Sequence, residues 1–219
     1  MNAMWEGTMQ LYHYGNPDAS VVFIQPVDAH DLAEMEAEIG EIRKQAAVDF
    51  HLIAVQVNSW NGDLSPWRAP AVFGKEDFGD GAAEMLQGIL GLCTDKSRTY
   101  YLGGYSLAGL FSLWAAYQTD VFAGIAAASP SMWFPGFLSY MKTHELRTKA
   151  VYLSLGDKEQ KTRQPLMATV AERIRNVYDL LQARHIPSTL EWNKGNHFQD
   201  NDIRTAKAFA WLLEQHDKG

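Results

Sequence analysis

The sequence predicts an α/β fold: a mostly parallel central sheet with helices on both faces, a three-layer α/β/α sandwich. Three observations predict it. Short apolar runs rich in β-branched and aromatic residues alternate with longer runs of helical periodicity. The alternation runs the length of the chain without an internal repeat, a low-complexity segment or a composition break. At 219 residues, with 47% hydrophobic and 21% charged side chains, the chain is long enough for one large core and ordinary in composition for a globular protein. Each right-handed crossover between parallel strands must lay its helix on the sheet, so this alternation covers both faces. A single domain spanning residues 1–219 is the simplest organisation.

Taken in order, Met9–His13 and Val21–Gln25 read as strands and Asp31–Val48 as the first helix. Leu52–Val57 is the next strand, and Gly81–Thr94 the next helix. Thr99–Gly103, aromatic and apolar throughout, reads as a buried strand running straight into a buried helix at Leu107–Gln118. Phe122–Ala127 and Ala150–Leu155 are strands separated by a helix within Ser131–Leu146. The chain finishes with a helix at Pro165–Arg184, a strand at Ser188–Trp192 and a helix at Asp202–Gln215.

Two stretches break this pattern. Asn58–Phe78 is an irregular connection holding Trp60, Trp67, Phe73 and two prolines, and Ser131–Tyr140 holds Trp133, Phe134 and Phe137. Both follow strand ends, and loops of that length are uncommon unless they serve a site. Trp60, Trp67 and Trp133 are therefore candidate walls of an apolar substrate pocket. The competing reading is that these aromatics cover the edge of the sheet.

Composition narrows the function classes. A net charge of −7 and a pI near 5.5 argue against nucleic acid and against anionic membrane surfaces, since both require a basic patch. A small molecule is the expected partner, and no feature specifies an oligomeric state. The single cysteine, Cys93, lies in an apolar helical stretch, which is compatible with a reducing compartment and a packing role. The opening residues Met1–Gly7 have neither the positive nor the apolar region of a secretory signal, and no run of about 18 apolar residues occurs. A cytoplasmic, soluble protein is the resulting expectation.

The most informative residues are Gly104-Tyr105-Ser106-Leu107-Ala108-Gly109, at the junction of the fourth strand and the third helix. A serine between small neighbours at a sharp strand-to-helix turn is the pattern of a nucleophile elbow. The turn is tight enough to strain the backbone and push the hydroxyl outward only if the residues two before and two after have almost no side chain. Gly104 and Ala108 meet that condition. The strict pattern has glycine where Ala108 stands, and Gly109 can restore the lost room. A phosphate-binding loop is excluded, because Leu110 and Phe111 occupy the positions of its lysine and its serine or threonine.

A serine nucleophile needs a base within hydrogen-bond reach and a third group to orient that base. Of the seven histidines, His13 and His51 lie in or beside strands at the amino side, and His30, His144, His185 and His216 lie in or at the ends of helices. His197 differs. It stands in Lys194-Gly195-Asn196-His197-Phe198, a glycine-containing loop after the last strand that reaches the carboxyl edge of the sheet. The loop after the penultimate strand, Leu155-Gly156-Asp157-Lys158-Glu159, offers two carboxylates, Asp157 and Glu159, to orient it. The Leu107 N–H, just after the serine at the start of a helix, is the natural first donor to an oxyanion. Asp28, His30 and Asp31 are ligand-type residues, but crowded at a helix start they read as capping and dipole-complementing groups. No metal and no cofactor is expected.

From about Val21 to Leu213 the chain resembles the α/β-hydrolase superfamily, and within it the group that includes esterase D and the siderophore esterases. The resemblance rests on Gly104 to Leu110, on Ala128-Ser129-Pro130-Ser131-Met132-Trp133, on the Gly156 loop, on Gly195-Asn196-His197, and on the order serine, acid, histidine. It implies an α/β-hydrolase fold with little or no cap domain and a carboxylic-ester hydrolase acting through an acyl-enzyme. It implies Glu159 as the acid, three residues after the strand-ending glycine, with Asp157 as runner-up. It also implies a His-Gly pair after an early strand, where this chain has Gln25-Pro26. Proline has no N–H, so the second oxyanion donor passes to Val27. Rival expectations on the same fold are a thioesterase, a peptidase or a carbohydrate-ester esterase. A non-catalytic binding protein on a hydrolase scaffold is a rival of another class, prompted by Ala108 and Gln25-Pro26.

Overall fold

The computed structural model describes the chain except for residues 1, 2, 7, 8, 46, 73 and 217–219, so Phe73 lies outside the described residues. Eight strands form one sheet: β1 (Ala3–Glu6), β2 (Met9–Gly15), β3 (Val21–Val27), β4 (His51–Gln56), β5 (Thr99–Tyr105), β6 (Phe122–Ala128), β7 (Ala150–Gly156) and β8 (Ser188–Asn193). Their order across the sheet is β1-β2-β4-β3-β5-β6-β7-β8. From β4 to β8 all pairings are parallel, whereas β2 runs antiparallel to β4 and β1 antiparallel to β2. The helices are α1 (Ala29–Gln45), α2 (Trp60–Asp63), α3 (Ala82–Leu92), α4 (Ser106–Gln118), α5 (Phe137–Thr143), α6 (Val170–Ala183) and α7 (Asn201–His216).

Side-chain alternation along the central strands builds both outer layers. Val22, Ile24, Tyr100, Leu102, Ile125, Ala127, Val151 and Leu153 face one core, against α3, α4 and α6. Val21, Phe23, Val27, Tyr101, Ala126 and Tyr152 face the other, against α1 and α7. The predicted three-layer sandwich is thus found, with α1 and α7 on one face. The β6–β7 connection contributes only the seven-residue α5 rather than a separate cap. That helix occupies a small part of the expected Ser131–Leu146 span, because prolines at 130 and 135 and Gly136, at φ +81°, hold the chain out of helix until Phe137.

Entry into α1 follows capping chemistry. Asp28 Oδ1 accepts from the His30 and Asp31 N–H groups at 2.8 and 2.9 Å, and Asp31 Oδ2 accepts from the Asp28 N–H at 3.2 Å. The expected capping role of this cluster is what the geometry displays. Burial, and next the Asp28 charge, push the Asp31 carboxyl up to about 6 from 3.8. Two turns on, Glu38 is buried and its carboxyl is held well above the usual range by burial, with Gln25 Nε2 donating to Oε2 at 3.3 Å. A raised native value at Asp31 means that its contribution to stability is fully present below 3.8 and is lost as pH rises through about 6. Asp31→Asn keeps the acceptor oxygen and removes the charge. It is expected to stabilise the protein at pH 8 by about 2 kcal/mol, because a tenfold difference in proton affinity between folded and unfolded chains is worth roughly 1.4 kcal/mol and partial exposure discounts the sum. Thermal melts should converge with wild type at pH 4; equal melts at pH 8 would contradict the assignment.

Candidate active site

The chain reverses its direction of travel across the sheet between β3 and β5, and at the carboxyl ends of those strands such folds place their ligands. Ser106 stands there as the first residue of α4, at φ +57°, a left-handed conformation that costs a non-glycine residue roughly 1–2 kcal/mol. Close packing holds it. A Cβ on Gly104 would lie 2.7 Å from the Ala108 methyl, so the glycine before the turn makes room for the alanine after it. A Cβ on Gly109 would meet the Gly104 carbonyl oxygen at 2.9 Å, so Gly109 lets α4 lie close against the strand end. Leu107 is in the first turn of α4, where backbone N–H groups have no acceptor four residues back.

His197 is carried to the same edge by the loop between β8 and α7. Its Nε2 lies 2.9 Å from Ser106 Oγ and its Nδ1 2.7 Å from Glu159 Oε2. Of the two carboxylates in the loop after β7, Glu159 therefore meets the imidazole. Asp157 is exposed and accepts from the Gly195 N–H at 2.8 Å, bracing the histidine loop rather than the histidine. Gly195 has φ +113°, a conformation that side chains disfavour, and its carbonyl accepts from the Lys158 N–H at 3.0 Å.

The far side of Glu159 is fully engaged. Oε1 accepts from the Gly156 N–H at 2.7 Å, Ser129 Oγ at 2.8 Å and Arg204 Nη1 at 3.1 Å. Glu159 and Arg204 side chains are 3% and 1% exposed, a buried ion pair whose remaining hydrogen-bonding capacity is partly met by the Lys194 carbonyl, 3.2 Å from Nη2. Arg204 Nη1 also reaches Tyr105 OH at 3.0 Å, and that hydroxyl donates to the His197 carbonyl at 2.9 Å. Burial, reinforced by the Glu159 charge, pushes the Tyr105 phenol up to about 12, so it stays a donor. Sequence reasoning missed the roles of Arg204, Tyr105, Ser129 and Ser131. Of these, Arg204 alone carries a signal: it shares the stripe of α7 that Ala208 and Leu212 bury, and an arginine there demands a partner.

Two expectations are corrected. Val27 lies inside the β3–β4 ladder, opposite Gln56, with its carbonyl accepting from the Val57 N–H at 3.0 Å. A parallel ladder in that register turns the Val27 N–H to the Val55 carbonyl, toward β4 and away from Ser106. Val27 is therefore not placed as a second oxyanion donor. That role would require the strand to stop at the proline. It continues because the N–H that Pro26 lacks would face β5, where pairing has already ended at Ile24 opposite Leu102. Trp133 is the second correction. At 5% exposure, with its ring 5.9 Å from that of Phe78, it fills the core and leaves little surface for a substrate. Trp67 is half-buried, donates to the Pro135 carbonyl at 3.0 Å and packs on Phe134 and Tyr140, while Trp60 is half-buried against the same core. Trp60 and Trp67 thus pack onto the core cluster that Trp133 helps to fill. The apolar group that stands free at the site is Phe198, 84% exposed, its ring edge-on to His197 at 5.5 Å.

No known family model matches the chain, and no curated protein does. Solved structures do. Siderophore hydrolase EstA from Aspergillus nidulans superposes with a TM-score of 0.69 at 18% identity, covering 97% of this chain and 93% of that one. An IroE-like serine hydrolase from Shewanella oneidensis gives 0.71 at 14%, covering 94% and 76%. Est1E from Butyrivibrio proteoclasticus gives 0.64 at 14%, covering 99% and 100%. The chain has the α/β-hydrolase fold.

Proposed function

We propose that the protein is a serine hydrolase of carboxylic esters, with Ser106 as nucleophile, His197 as general base and acid, and Glu159 as the group that fixes the imidazole. The observation that carries this reading is the unbroken run from Ser106 Oγ to His197 Nε2 at 2.9 Å and from His197 Nδ1 to Glu159 Oε2 at 2.7 Å. With Glu159 accepting at Nδ1, the Nδ1–H tautomer leaves Nε2 free to take a proton. Support of a second kind comes from two neighbours of the same fold, named as a siderophore hydrolase and a serine hydrolase.

The chemistry balances without a cofactor. Ser106 Oγ attacks the ester carbonyl carbon as its proton passes to His197 Nε2, and the oxyanion so formed is met by the Leu107 N–H. The carbon–oxygen bond to the alcohol breaks, and that oxygen leaves with the proton from His197. Water then attacks the acyl-enzyme, gives its proton to Nε2, and the carbon–Oγ bond breaks with the proton returned to Ser106. The products are one alcohol and one acid. Esters of small or medium size suit the site, with an apolar portion resting on Phe198 at the rim.

Covalent labelling tests activation and position together. A fluorophosphonate probe requires an activated serine, so the native protein should take up one label, and peptide mapping should place it on the Ser106 peptide. An unlabelled protein, or a label elsewhere, overturns the reading. Comparison of p-nitrophenyl esters with thioesters and peptides then ranks the bonds cleaved, with esters expected to lead.

A further inference from the structure

The segment 129–134, which follows β6, plays no part in the reaction as written above, yet it contacts both ends of the catalytic run. Ser129, held at φ +41°, donates through Oγ to Glu159 Oε1 at 2.8 Å, and its N–H reaches Ser154 Oγ at 3.3 Å. Two residues on, the Ser131 N–H donates to the Ser106 carbonyl at 3.1 Å, and Ser131 Oγ lies 3.3 Å from Ser106 Oγ. Ser131 is 1% exposed, and its own carbonyl accepts from the Phe134 N–H at 2.9 Å. A hydroxyl withdrawn from water and fixed from both sides is therefore aimed at the oxygen that reacts.

Proton direction sets its role. Ser106 sends its proton to His197 Nε2, so in the contact with Ser131 it accepts and Ser131 donates. We propose that Ser131 is a second catalytic hydroxyl, whose O–H stabilises negative charge on Ser106 Oγ as that oxygen enters and leaves the acyl bond. The inference rests on the reading of Ser106 as nucleophile. At 3.3 Å the contact is long for two neutral hydroxyls, whereas an O–H donating to an anionic oxygen closes to about 2.5–2.7 Å. It is thus weak in the resting state and strong when charge develops, which is the difference that lowers a barrier. The Ser131 proton stays on Ser131 throughout, and His197 remains the carrier of the transferred proton. With the Val27 N–H turned to β4, Ser131 is a donor that the protein holds against the reacting serine from the β6 side.

The test compares wild type with Ser131→Ala and Ser131→Cys, the latter keeping a weaker donor. Hydrolysis of p-nitrophenyl acetate, the fluorophosphonate labelling rate and the thermal midpoint are measured on each. Loss of a hydrogen bond to a charged oxygen predicts a fall of about tenfold to a hundredfold in kcat for alanine, with KM little changed. Labelling should slow in parallel, the cysteine variant should fall between alanine and wild type, and the midpoints should agree. An alanine variant as fast as wild type overturns the proposal. So does a loss of rate in step with a loss of thermal stability in both variants, which would make Ser131 a packing residue. Failure of the wild type itself to label would instead remove the Ser106 reading on which the inference stands.

Discussion

Replacement of Ser106 by alanine is expected to reduce ester hydrolysis by roughly a millionfold while leaving the fold in place, the magnitude seen when the nucleophile of a serine hydrolase is deleted. The size follows from the chemistry. Without Oγ there is no acyl-enzyme, and His197 and Glu159 have no serine to activate. The fold should survive because alanine bears the same left-handed backbone strain as serine at φ +57°, and the hydroxyl lost is hydrogen-bonded to His197 and Ser131. Circular dichroism and the thermal midpoint check the fold, and activity on p-nitrophenyl acetate checks the chemistry. A folded variant that keeps even a hundredth of the wild-type rate would remove Ser106 from the nucleophile position.

The second large effect is expected at Glu159. Glu159→Gln places an amide N–H₂ or its oxygen against His197 Nδ1 without the charge that stabilises the imidazolium, and a change of this kind in a serine triad costs about ten-thousandfold. It carries a second penalty. Arg204, 1% exposed, loses its anionic partner, and breaking a buried pair from one side costs about 3–5 kcal/mol. The two losses separate by measurement, since rates taken well below the lowered midpoint report the first alone. Asp157→Asn is the control. That residue is exposed and touches the Gly195 N–H, so its replacement should change kcat/KM by less than about tenfold. If the asparagine variant were inactive and the glutamine variant active, the roles of the two carboxylates would be reversed.

What the sequence makes legible are the elements whose pattern is local. β3, β5, β6 and β7 are covered on both faces and read as near-continuous apolar runs, and α4 is buried almost throughout, so each is found within a few residues of its ends. Ser106 and His197 stand out because each sits at the junction of a strand with a glycine-bearing turn. β1 goes unseen because Ala3–Glu6 is four residues long with no alternation, and it becomes a strand by pairing with β2. The reversed direction of β2 is likewise a property of its register with β4, Gly15 opposite His51, and has no local signature. The same holds within the site. Arg204 meets Tyr105 across 99 positions and Glu159 across 45, and Ser131 meets Ser106 across 25, so only folding reveals them. The aromatic loops are ambiguous for a related reason: apolar rings that line a pocket and rings that pack into a core have one and the same composition.

Arg204 lies in the first turn of α7, just beyond the loop that carries His197. It is the cation behind the acid, a brace for the tyrosine that tethers the histidine loop, and a donor to the Lys194 carbonyl at that loop's start. Orientation of the imidazole is thereby tied to the docking of a whole helix rather than to the resting place of a flexible loop. Should the start of that helix lift from the sheet, the carboxylate loses its counter-charge and the ring loses its anchor in one motion.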